Sequence, residues 1–101
     1  MRKKLIDEIY SLLRKIGLVS SEGEFSEEWL GHSECYFRTL RYKRTEPSMG
    51  VVAICASRLQ KAGEQMITVP RYRQLGLQFI ELSEKCHETV NEEAVELDLV
   101  G

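Results

Sequence analysis

The sequence predicts an all-α fold of about five helices, on three observations. Apolar residues recur at steps of three and four along several stretches, the pattern of a helix with one buried stripe. Serine, glycine and proline stand where those stretches begin and end, as helix caps and stops require. The composition, 43% hydrophobic and 30% charged, is that of an ordinary folded chain, and 101 residues leave room for one domain (1–101) with a single modest core.

The first helix is expected over residues 3–16. Leu5, Ile9, Leu12 and Ile16 follow one another at steps of four, three and four, Ile6 and Leu13 flank them, and Gly17 ends the run. Residues 18–24 mix turn formers and acids without period and read as a loop. A short second helix spans Phe25 to Leu30, with Ser26 as its N-cap and Gly31 closing it. Ser33 is positioned to cap a third helix, 33–44, whose buried side holds Phe37 and Leu40 with Tyr36 at the border. Pro47 disfavours helical dihedrals in Glu46, so the chain must break there, and Ser48 can cap a fourth helix. That helix, about 49–62, is apolar around much of its circumference (Val51, Val52, Ile54, Cys55, Leu59, Ala62), so it should be the most buried, with Gly63 ending it. Pro70 opens a fifth, amphipathic helix over 70–89, on which Tyr72, Leu75, Phe79, Leu82 and Cys86 form a continuous seam. The acidic tail, 90–101, carries no clear period.

Charge is unevenly distributed. Between Tyr36 and Arg73 stand Arg38, Arg41, Lys43, Arg44, Arg58, Lys61, Arg71 and Arg73 against only Glu46 and Glu64, although the whole chain carries −2. From Gln74 onward Lys85 alone opposes Glu81, Glu84, Glu88, Glu92, Glu93, Glu96 and Asp98. Such a chain has one face suited to polyanions and another that repels them.

The order around the basic block is a short helix, a turn at Leu30-Gly31-His32-Ser33, and a basic helix. A helix-turn-helix needs that order, because its second helix must project side chains into a major groove about 12 Å wide while the first braces across the backbone. On this reading Glu34, Cys35 and Arg38 face base edges, with Ser33 and Tyr36 counted among the DNA-binding residues beside them. Arg38 is placed to bind guanine and Glu34 to accept from cytosine, while Arg41, Tyr42, Lys43 and Arg44 lie nearer phosphates.

Residues 25–62 resemble the helix-turn-helix family of phage Cro and repressor proteins, often called Xre-like. The likeness rests on Phe25-Ser26-Glu27-Glu28-Trp29-Leu30-Gly31-His32-Ser33, on Leu40 within the third helix, and on Pro47-Ser48 opening an apolar fourth helix. It implies an all-helical transcription regulator that binds double-stranded operator DNA as a homodimer, with 33–44 in the major groove. The sequence departs from the pattern in Glu27, where a small residue is usual, in Lys43-Arg44-Thr45, where a glycine is common, and in the longer loop 17–24. A domain closed by four helices would leave the fifth free to dimerise through Tyr72, Leu75, Phe79, Leu82 and Cys86.

Other chemistries find little support. There is no Gly-rich phosphate loop, no H-E-x-x-H and no G-x-S-x-G, so no enzyme activity and no cofactor is expected. His32 and Cys35 lack further metal ligands nearby, and Cys86 and His87, adjacent on a helix, point about 100° apart and cannot share a proton. Three widely spaced cysteines suit free thiols, and without a signal-like or membrane-spanning run the chain is expected in the cytoplasm. Two competing readings remain open at this stage. The basic face is either a DNA surface or a solvated face neutralised by the acids of 74–101, and the protein is either a DNA reader or a protein-binding module of anti-activator, antitoxin or phage-inhibitor type.

Overall fold

The computed structural model describes residues 2–100, with side chains through Glu93. Its elements are α1 (Arg2–Lys15), α2 (Glu22–Glu28), α3 (Tyr36–Lys43), α4 (Met49–Met66), a 3₁₀ turn at Pro70–Tyr72, and α5 (Arg73–Val100). The fold is all-α with five helices, and no strand occurs among the described residues.

The amphipathic stripe of α1 is centred on Ile6, Ile9 and Leu13, which are fully buried, while Leu5, Leu12 and Ile16 pack at its margins. Gly17 at φ +81° ends the helix in the left-handed region that glycine adopts without strain. The second helix starts earlier than the sequence suggested, because Ser21 rather than Ser26 is the N-cap: its hydroxyl accepts from the Glu24 N–H at 3.1 Å. At the other end Arg58 donates to the Glu27 and Glu28 carbonyls at 3.1 and 2.6 Å. A cation from α4 thus satisfies the last carbonyls of α2 and complements its dipole.

Helix α4 lies at the centre, as its apolar circumference requires. Ser48 caps it, accepting from the Val51 N–H at 3.2 Å, and Val51, Val52, Cys55, Ala56 and Leu59 are buried, whereas Ile54 points outward. Two boundaries differ from the expected ones. Helix α4 continues past Gly63 to Met66, and α5 continues through the acidic tail to Val100; Gly101 lies outside the described residues.

Gly63 is a crossing point rather than a stop. Helices α4 and α5 run antiparallel and touch backbone to backbone there: a Cβ on Gly63 would lie 2.9 Å from the Gly76 carbonyl oxygen and 2.8 Å from Ile80 Cγ1. One on Gly76 would likewise lie 2.9 Å from the Gly63 carbonyl oxygen. Farther along, Ser83 is buried and donates to the Ala56 carbonyl at 2.7 Å. Cys55 and Cys86 meet in the core: the hydrogen bond between them, and then burial, hold the Cys55 thiol well above its ordinary pKa, while the same bond draws Cys86 below against the opposing effect of burial.

The seam on α5 is therefore covered from within. Phe79, Leu82 and Cys86 are at most 4% exposed in the single chain, and Leu75 packs against the same core. Of the expected dimer seam Tyr72, Leu75, Phe79, Leu82 and Cys86, this corrects the last three, which lie inside the monomer. Only Tyr72, at 44% exposure, remains substantially open to a partner. Four helices do not close the core alone, because α4 needs α5 to cover it.

Candidate nucleic-acid interface

Helix α3 stands on an aromatic platform. Phe37 is buried against Phe25 of α2 and Tyr10 of α1, with ring centroids 4.8 and 4.9 Å apart, so α3 cannot roll without breaking the core. Ser26 fixes its start. The buried hydroxyl donates to the Ser33 carbonyl at 2.6 Å and accepts from the Phe37 N–H at 3.2 Å, satisfying a first-turn amide that the helix cannot pair itself. The expected cap, Ser33, contributes its carbonyl instead of its side chain: helix proper begins at Tyr36, and Cys35 at the cap position makes no side-chain capping bond. The α2–α3 connection runs over residues 29–35, longer than the tight turn expected, and Gly31 reverses it at φ +62°.

The predicted contact residues separate into anchored and free groups. Arg41 is anchored: it pairs with Glu22 of α2 at 2.8 Å and lies 5.5 and 5.4 Å over the rings of Tyr10 and Phe37. Tyr36 is also engaged, its hydroxyl accepting from the Ser48 N–H at 3.2 Å and its ring stacked on His32 at 3.8 Å. The Glu34 side chain lies across Gly23, where a Cβ would meet its Cγ at 2.6 Å. Glu46, in the link to α4, accepts from the Lys3 N–H at 2.7 Å, which holds its carboxyl below the usual range.

Arg38, Tyr42, Lys43 and Arg44 form the open group. Tyr42 is 88% exposed, Arg38 is exposed and donates to Cys35 Sγ at 3.4 Å, and none of Arg38, Lys43 and Arg44 forms an ion pair among the described residues. The described ion pairs are Arg41–Glu22 and Arg2–Glu93, so no described acid of α5 neutralises this face. Thr39 was not anticipated. It is exposed one helical turn beyond Cys35 and beside Arg38 and Tyr42, a position that the 3.6-residue period alone would have given. Trp29 and Phe25 belong to the core, Trp29 meeting Phe79 edge-on at 6.1 Å.

Among the described residues no three His, Cys, Asp or Glu side chains converge as metal ligands, and no helix is long and apolar enough to cross a membrane. A Family of unknown function (DUF6626) matches residues 6–98, from the first buried turn of α1 almost to the end of α5. The chain belongs to that family. No curated protein and no solved structure shows significant similarity to it. The match spans all five helices, so the basic face of α3 and the α4–α5 crossing both lie within the family's extent.

Proposed function

We propose that the protein is a transcription regulator that binds double-stranded DNA through the exposed face of α3. Cys35, Arg38, Thr39 and Tyr42 face base edges, while Lys43 and Arg44 sit on phosphates. One observation carries this reading: among the described residues Arg38, Lys43 and Arg44 form no ion pair, and they stand beside an 88%-exposed tyrosine on a helix whose other side is locked by Phe37, Arg41 and Tyr36. Open cations are well solvated in water, and three of them held on a rigid support suit a polyanion. An α-helix with its side chains is about 10–12 Å across, which a major groove about 12 Å wide admits.

The likeness of residues 25–62 to the Cro and repressor type supports the same reading. So does the left-handed conformation of Arg44, the region in which glycine is most at ease. Tyr36, Arg41 and Glu34, expected at the DNA surface, act mainly by positioning α3.

The test is a set of duplex-binding titrations with selected operator sequences. Arg38→Ala should lose about 1–3 kcal/mol of discrimination between sequences, whereas Lys43→Ala and Arg44→Ala should weaken all duplexes alike and each reduce the salt slope by about one. Equal affinity of wild type and all three variants for every duplex would refute the proposal and favour the protein-binding alternative.

A further inference from the structure

Away from α3, where the end of α1 meets the end of α4 and the start of α5, lies an open apolar groove of about 470 Å³. Ile16, Leu18, Trp29, Met66, Tyr72 and Leu75 form its walls. Leu18 and Tyr72 are 45% and 44% exposed, which leaves a substantial apolar surface facing solvent. The groove has cationic ends. Past Trp29, Ala62 and Gln65 it continues into a cleft lined by Arg58 and Lys61, with Glu28 the one acid there, and at the other end Arg71 stacks 5.0 Å over the Tyr72 ring. Arg58 is engaged with the carbonyls of α2, so Lys61 and Arg71 are the cations available to a partner.

This charge pattern selects the occupant. Two such grooves placed face to face would set Lys61 and Arg71 against their own copies, so the groove does not suit pairing with itself. It suits a segment that is both aliphatic and acidic, and the chain contains one: residues 92–100, Glu-Glu-Ala-Val-Glu-Leu-Asp-Leu-Val. That segment cannot reach the groove of its own molecule. Helix α5 starts at the groove and runs away from it, and Glu93 pairs with Arg2 at the far end of α1. Leu75 and Val95 are thus about 30 Å apart along the helix, while residues 94–100 would cover only about 24 Å even if fully extended.

We propose that the end of this segment, residues 94–100 of a second copy, docks in this groove, with the Glu96 and Asp98 carboxylates directed to Lys61 and Arg71 while Glu93 keeps its pair with Arg2. Exchanged reciprocally, tail of each molecule to groove of the other, the two contacts are related by a two-fold axis and close a dimer. None of the groove residues belongs to α3, so association and DNA binding use separate surfaces.

Sedimentation velocity over a concentration series, with circular dichroism to verify folding, tests the contact by complementation. Wild type should associate as concentration rises. A groove variant, Lys61→Glu/Tyr72→Ala, and a tail variant, Val95→Ser/Leu99→Ser, should each remain monomeric alone. Mixed together they should pair, because the first keeps its tail and the second its groove. Lys61→Glu alone and Leu99→Ser alone replace either double variant that fails to fold. A wild type that stays monomeric at every concentration, variants that associate as wild type does, or a mixture that stays monomeric would each overturn the proposal.

Discussion

Arg44 ends α3 at φ +56°, where a Cβ crowds the following carbonyl, and its N–H bonds back to the Leu40 carbonyl as a left-handed cap. Glycine would relieve that strain at the cost of greater freedom in the unfolded chain. Arg44→Gly should therefore gain about 0.5–1 kcal/mol and raise the thermal midpoint by several degrees, while weakening DNA binding. Gly63 presents the opposite case. Alanine returns about 1 kcal/mol of helix propensity, but its methyl would meet the Gly76 carbonyl oxygen at 2.9 Å, and backbone yields less readily than the tip of a side chain. Gly63→Ala should lose about 1–2 kcal/mol net, and a thermal midpoint unchanged or raised would show that α4 and α5 do not cross as closely as described.

The five helices were legible as elements because each carries its own period, and Ser48 was legible as a cap because Pro47 had already broken the chain before it. What escaped depends on partners. Gly63 reads as a stop in isolation and becomes an interior residue only once Gly76 lies opposite; Arg41 reads as an outward cation until Glu22 and Tyr10 capture it. The extent of α5 was missed because the acidic tail lacks an apolar period, yet glutamate, alanine and leucine propagate a helix readily once it is nucleated. Within the candidate site, Arg38, Tyr42, Lys43 and Arg44 were identifiable from residue type alone, while the structural tie of Ser26 to α3 was not. That tie is testable at the level of the element. Ser26→Ala leaves the buried Phe37 N–H without its partner and removes the part-buried bond to the Ser33 carbonyl, a loss of about 1–3 kcal/mol. Hydrogen exchange at the Phe37 amide should accelerate well before that of α4; unchanged protection would mean that another group serves the first turn of α3.

Across the whole molecule the charge polarity of the sequence survives folding. Arg38 and Lys43 on α3 and Arg44 at its C-cap are open, and the exposed acids Glu81, Glu84, Glu88 and Glu92 lie on α5, which shares no described ion pair with α3. A polyanion is thereby attracted to one face and repelled from another, so a net charge of −2 is compatible with an oriented approach to DNA. The deciding measurement is fluorescence anisotropy of a labelled duplex across a salt series, with wild type beside Lys43→Glu/Arg44→Glu. Binding by wild type that falls linearly in logarithmic affinity with logarithmic salt concentration, and that the charge reversal abolishes, is the predicted result. A wild type without affinity at low salt, or a variant that binds as wild type does, would contradict a DNA-binding role for α3.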